Sequence, residues 1–162
     1  MSVDKNQAVI EYLKTCPIIM ENPLYFNFIN AEDNTNQIVT SAEDITTSRT
    51  FIDGSVNRRY TFTIITFKAI SDNALVTTLA GYPSENVEDL SAVQDLIDWI
   101  AAQEDNHNYP NFGSTCLIQS IGTTTDAPTL SGINTEVTPP LAMYSVSIRI
   151  DYIDTSKIIW NE

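Results

Sequence analysis

Two long stretches of this chain alternate apolar and polar side chains: residues 60–69, YTFTIITFKA, and residues 143–153, MYSVSIRIDYI. A period of two sends successive side chains to opposite faces of a pleated backbone, so both read as β-strands. In the second, Tyr144, Val146, Ile148, Ile150 and Tyr152 belong to a core. Ser145, Ser147, Arg149 and Asp151 face water or a partner. In the first, Tyr60, Phe62, Ile64, Thr66 and Lys68 line one face, and Thr61, Thr63, Ile65 and Phe67 the other. Both faces of that strand are partly apolar, which predicts cover on each side: helices on one, a neighbouring chain on the other.

Between the two strands the period changes. Leu90, Val93, Ile97, Ile100 and Ala101 recur at helical spacing, with Leu96 and Trp99 flanking the stripe. They predict an amphipathic helix capped by Asn86 and running to about Glu104, with Glu85, Glu88 and Asp89 near its first turn, where negative charge suits the dipole. A shorter helix is predicted from Ala8, Val9, Tyr12, Leu13 and Cys16, with Ser2 or Asp4 as N-cap and Pro17 forbidding continuation. Further strands are expected at 24–31, 45–52 and 116–121. Asp53-Gly54-Ser55 supplies turn chemistry for a hairpin joining 45–52 to 57–69.

Residues 32–44, 71–84 and 122–140 read as connections. The first and last are long for a compact domain, and Ile133, Val137 and Leu141 imply that the last orders against another subunit. The order αβββαββ in one domain, 1–162, predicts an α+β fold. Its sheet is expected to be mixed, mostly antiparallel, with four to five strands packed by two helices.

Charge narrows the partners. Twenty-one acidic residues against eight basic ones give a net charge of −13, which disfavours binding to phosphate backbones and anionic membranes. It suits a soluble protein that pairs with a more basic partner. Cys16 and Cys116 read as free thiols rather than a disulfide. The first residues, MSVDKNQAVIEYLK, carry charges and lack an apolar core region, and no 18-residue apolar run occurs, so neither a signal peptide nor a spanning helix is expected.

Catalytic chemistry finds little to work with. His107 is the single histidine, in a polar loop; Ser114 and Cys116 lie near it in sequence, but no GxSxG elbow is present. One histidine and two distant cysteines cannot build a four-ligand zinc site. A calcium loop starting at Asp33 would place Ile38 where glycine is required. No phosphate-cradling glycine loop occurs, and no cofactor is expected. Arg58 and Arg59 beside Tyr60 and Phe62 admit a nucleic-acid platform, yet in so acidic a chain a hairpin-end salt bridge is favoured. Arg49, Asp53, Arg58 and Arg59 are therefore the candidate interaction residues, the arginines meeting carboxylates of a neighbouring subunit. Glu88, Asp89, Asp95 and Asp98 read as a solvated helix face, or as an acidic wall that meets a basic partner or lines a channel.

The segments FNFINAEDNTNQIV (26–39) and TFIDGSVNRRYTFTII (50–65), with the closing YSVSIRIDYI, resemble the small minor-capsid or tail-terminator proteins of tailed phages and prophages of Gram-positive bacteria. The resemblance covers most of the chain in element order and carries no catalytic signature. It implies a subunit of a hexameric ring that caps the tail tube, stops its elongation and presents a docking surface to the head–tail connector. Partners would be further copies of the chain, the major tail tube protein and the connector, with DNA passing through the lumen without specific binding. Location would be the virion tail or neck, after assembly in the host cytoplasm. Two other classes remain open: a different neck or tail part, such as a connector or tube subunit, and a small cytosolic hydrolase using His107 and Cys116.

Overall fold

The computed structural model describes residues 4–20, 24–27, 35–40, 45–69, 85–124, 127–134, 136 and 140–158; the side chains of 45, 46, 48 and 85–90 lie outside that description. The elements are α1 (Lys5–Leu13), α2 (Pro17–Met20), β1 (Leu24–Phe26), β2 (Thr35–Val39), β3 (Ile45–Thr50), β4 (Val56–Ala69), α3 (Glu85–Asp105), β5 (Cys116–Thr123), β6 (Thr129–Asn134) and β7 (Leu141–Asp154).

The two alternating runs become β4 and β7, which pair antiparallel along their whole length, from Val56 opposite Asp154 to Ala69 opposite Leu141. This ribbon is the spine of the sheet. Its flanking strands are short, so each long strand needs two of them to satisfy its outer row of N–H and C=O groups. β3 lies along β4 from Val56 to Tyr60, and β2 from Thr63 to Phe67. Along β7, β6 covers Leu141–Ser145 and β5 covers Ile148–Asp154. β1 adds outside β2 in a parallel pair. The fold is α+β with a mixed, mostly antiparallel sheet, as expected.

The strand and helix numbers differ from expectation: the described residues form seven strands rather than four or five, and three helices rather than two. β2 and β6 form inside the segments read as loops, because TNQIV and TLSGIN hold too few apolar residues to show a period. Their pairing is dictated by the exposed edges of β4 and β7. α1 already ends at Leu13, with Lys14 as its C-cap, and Pro17 opens α2 instead, occupying the first helical position, where its missing N–H has no cost; the Cys16 carbonyl accepts from Ile19 and Met20. The strand expected at 24–31 ends at Phe26, since Asn27 takes a positive φ of 46°; residues 28–31 and the connection 71–84 lie outside the described residues. α3 starts at Glu85, so Asn86 sits within its first turn instead of capping it.

Helices cover one face of the ribbon. Asp4 caps α1, its carboxylate accepting from the Asn6 N–H at 2.9 Å, and Val9, Tyr12, Leu13 and Cys16 are buried. α3 buries Val93, Leu96, Ile97 and Ile100; Ala101, expected in the stripe, is exposed, and Leu96 takes its place. Beneath them lie Tyr60, Phe62 and Ile64 of β4 and the even-numbered residues from Tyr144 to Tyr152 of β7.

The other face divides in two. Toward the Ala69–Leu141 end, Thr35, Gln37, Phe67 and Leu141 are buried. Toward the Val56–Asp154 end, the odd-numbered positions from Asn57 to Ile65 and from Ser145 to Ile153 are half-buried or exposed.

Candidate functional site

The four candidate residues start from the β3–β4 hairpin. Its tip is closed by hydrogen bonds from the Phe51 N–H to the Ser55 carbonyl and from the Gly54 N–H to the Phe51 carbonyl. Asp53 accepts from both the N–H and the hydroxyl of Ser55, at 2.9 and 2.6 Å, and these bonds hold its carboxyl below the usual range. Gly54 has φ +92°, and a Cβ there would lie 2.3 Å from the Lys157 carbonyl oxygen. The tip therefore rests against the chain that follows β7, an approach only glycine permits. Ile52 projects fully into solvent beside it.

Pairing of β4 with β7 sorts the arginines onto different faces. Arg58 and Asp154 lie at the end of the helix-covered face, with Nε to Oδ2 at 3.3 Å, and Arg58 also donates to Thr47 Oγ1 at 3.0 Å. Arg59 lies on the open face opposite Asp151 and grips it with two bonds, 2.7 Å from Nε and 3.3 Å from Nη2. Arg149 adds a third bond to Asp151 at 2.8 Å, and Ser120 a fourth at 3.2 Å. Burial opposes ionisation of Asp151, but the bonds and charge of Arg59, then Arg149, outweigh it and hold the carboxyl below its ordinary value. Asp154 shows the same balance, with Ser156 and Arg58 overcoming burial. Gly122 of β5 faces Arg149, whose guanidinium would sit 3.4 Å from any Cβ added there.

Arg49 is exposed on β3, paired in register with Asn57 and so on the open face, its guanidinium 5.3 Å from the Phe51 ring centroid. The open face thus carries Arg59 and Arg149 on one carboxylate, with Arg49 further out on the same face. Thr61, Thr63, Ser145 and Ser147 lie alongside, Thr63 and Ser147 sharing a bond of 3.0 Å. The candidate residues do not form one cluster: Arg49 and Arg59 belong to this face, Arg58 to the other, and Asp53 to the turn. Arg149, Asp151 and Ser120 complete the site. Alternation in sequence pointed Arg149 and Asp151 outward, but it gave no sign of Ser120, and only the register between β4 and β7 joins Asp151 to Arg59.

On the opposite side of the molecule, α3 exposes Ser91, Asp95, Asp98, Ala102 and Asp105 along one outward stripe. Glu104 turns aside from it and accepts from the Ile121 N–H at 2.8 Å, occupying part of the outer edge of β5.

The residues considered for chemistry have structural partners. His107 lies just past α3 with φ +53°; its N–H bonds the Glu104 carbonyl, and the Asn108 N–H bonds the Gln103 carbonyl. These are the two bonds of a Schellman cap, so the lone histidine holds the left-handed position usually given to glycine. Its ring contacts Tyr109 Oη at 3.2 Å. Cys116 lines a surface groove with Tyr109, Phe112 and Ile118, and both thiols are free, Cys16 pushed up by burial. A groove of about 470 Å³ runs between α1 and residues 109–111, but its carboxylates are engaged: Asp4 caps α1, and Glu11 accepts from Gln7 and Lys14.

Among the described residues no three His, Cys, Asp or Glu side chains gather as a metal site, and no helix is long and apolar enough to cross a membrane. No protein-family model and no curated protein matches the sequence.

Proposed function

We propose that the chain is a virion structural subunit of a tailed phage or prophage, a tail terminator that caps the tail tube as a homo-oligomeric ring. The reading rests on the resemblance of residues 26–39, 50–65 and 144–153. One structural observation supports it further: a long two-stranded spine covered by helices on one face carries an open, arginine-bearing face on the other. In a chain of net charge −13, such a face suits contact between protein subunits better than contact with DNA.

The effect is steric and thermodynamic. A ring seated on the last tube disc buries the growing surface, so further tube subunits lose their binding site. The new outer surface then receives the head connector, and DNA crosses a lumen that offers few phosphate contacts. The site of action is the tail or neck of the particle, after assembly in the host cytoplasm.

The test is a tube-elongation assay with a major tail tube protein of a tailed phage of Gram-positive bacteria. Sub-stoichiometric amounts are expected to halt growth, with the chain found by gold labelling at one tube end. Incorporation along the whole tube would identify a tube subunit instead, and no effect on growth or end-labelling would overturn the proposal.

A further inference from the structure

Building on the ring reading, we infer that copies of this chain join head to tail, the acidic outer stripe of α3 in one subunit seating on the arginine-bearing open sheet face of the next. The two surfaces are complementary in charge. Asp95, Asp98 and Asp105 stand exposed along α3 with no basic residue between Lys68 and Arg149 in the sequence. Arg59 and Arg149 share one carboxylate, Asp151, on the open face, Arg49 stands exposed on the same face beside the Phe51 ring, and Arg59 remains 49% exposed despite its ion pair.

The two surfaces point away from each other. α3 packs its inner stripe onto the covered face of the ribbon, so its outer stripe and the open face look in opposite directions. They cannot meet within a subunit, and between subunits they make a heterologous contact, which closes into a ring when each step adds a fixed rotation. Dimensions agree. The outer stripe from Ser91 to Asp105 spans roughly 20 Å at ~1.5 Å per residue. The open stretch from Asn57 to Ile65 spans roughly 30 Å at ~3.4 Å per residue. Thr61, Thr63, Ser145 and Ser147 give that stretch short hydroxyl side chains, so a helix can approach closely and find hydrogen-bond partners. Joining through β5 edge to edge is disfavoured because Glu104 already occupies the Ile121 N–H.

Charge also explains how such acidic subunits tolerate one another. At physiological salt the Debye length is about 8 Å, so repulsion between distant carboxylates is damped while pairs in contact persist.

Two one-sided charge swaps test the geometry. Asp95→Arg with Asp98→Arg turns the α3 stripe basic; Arg49→Glu with Arg59→Glu turns the sheet face acidic. Sedimentation velocity over a concentration series is expected to show self-association of the native chain, with the midpoint moved at least tenfold upward in either variant. An equimolar mixture of the two is expected to associate again, because each swapped face then meets a swapped partner and each native face a native one. Arg49→Glu with Thr61→Glu repeats the sheet-face swap while keeping the Arg59–Asp151 pair, and circular dichroism confirms folding of each variant. Association that ignores both swaps would overturn the interface and leave the ring reading standing. A native chain that stays monomeric at every concentration would overturn it too, the tube-elongation assay then deciding the ring reading on its own.

Discussion

On the covered face of the β4–β7 ribbon, Phe62 stands opposite Ile148 and Ile64 opposite Val146, each at most 1% exposed. One residue along, on the open face, Thr63 stands opposite Ser147 and Arg59 opposite Asp151. The same two strands, with the same hydrogen-bond ladder, build a core on one side and a polar surface on the other. The contrast shows how a sheet can separate stability from recognition: the even-numbered positions hold the fold, and the odd-numbered ones from Asn57 to Ile65 and from Ser145 to Ile153 are left open to a partner. It also separates two kinds of charge. Arg58 with Asp154 fastens the end of the covered face, whereas Arg59 and Arg149 with Asp151 lie where another molecule can reach them.

The sharpest way to break the comparison is to truncate adjacent residues. Phe62→Ala is expected to lose about 3–5 kcal/mol, the cost of removing a large buried side chain and leaving a cavity. Thr63→Ala, one position on, is expected to lose under about 1 kcal/mol, since only a half-exposed hydroxyl bond is removed. Urea unfolding of both variants measures the difference, and similar losses would mean that the faces are not distinct. Next in size is the hairpin tip, where the faces end. Gly54→Ala is expected to cost about 2–3 kcal/mol, from the positive φ and from forcing the tip away from the Lys157 carbonyl. A fall in the thermal midpoint without loss of β-signal reports it.

The faces were legible because alternation survives translation from sequence into strand: the inward residues of β7 are those its pattern assigned. The hairpin turn and the main helix were legible for the same local reason. Pairing was not. Nothing in TNQIV or TLSGIN announces a strand, since their side chains carry no period and the strand edges that recruit them belong to β4 and β7. Ala101 was misplaced because a helical stripe drawn on seven apolar residues leaves its centre uncertain by one position, and packing against the sheet selected Leu96. The site was half legible. Arg59 stood out in sequence, but its partner Asp151 is 92 residues away and is joined only by register.

A pH experiment sharpens the comparison further, because the open-face cluster titrates while the apolar face does not. Asp151 is held below its ordinary value in the folded chain, chiefly by Arg59 and Arg149 once the opposing effect of burial is overcome. Its unfolded value is about 3.9, so its contribution to stability is complete above that pH and is lost as pH falls through the folded value. Asp151→Asn is expected to lower stability at neutral pH by about 1 kcal/mol or less, since the pair is solvent-screened. The deficit should shrink toward zero on acidification below about pH 4. Urea midpoints of native and variant chains across that range test this, and a constant deficit would mean that packing, not charge, was lost.

The smallest expected effect concerns His107, which sits off both faces. In the left-handed region a side chain with a Cβ costs roughly 1 kcal/mol, a cost that glycine avoids. His107→Gly is therefore expected to raise the thermal midpoint slightly. If the substitution raises the midpoint and leaves tube capping unaffected, the histidine acts as a helix terminator. Loss of a measurable turnover in the same variant would instead make His107 the centre of a catalytic site and favour the hydrolase reading over the structural one.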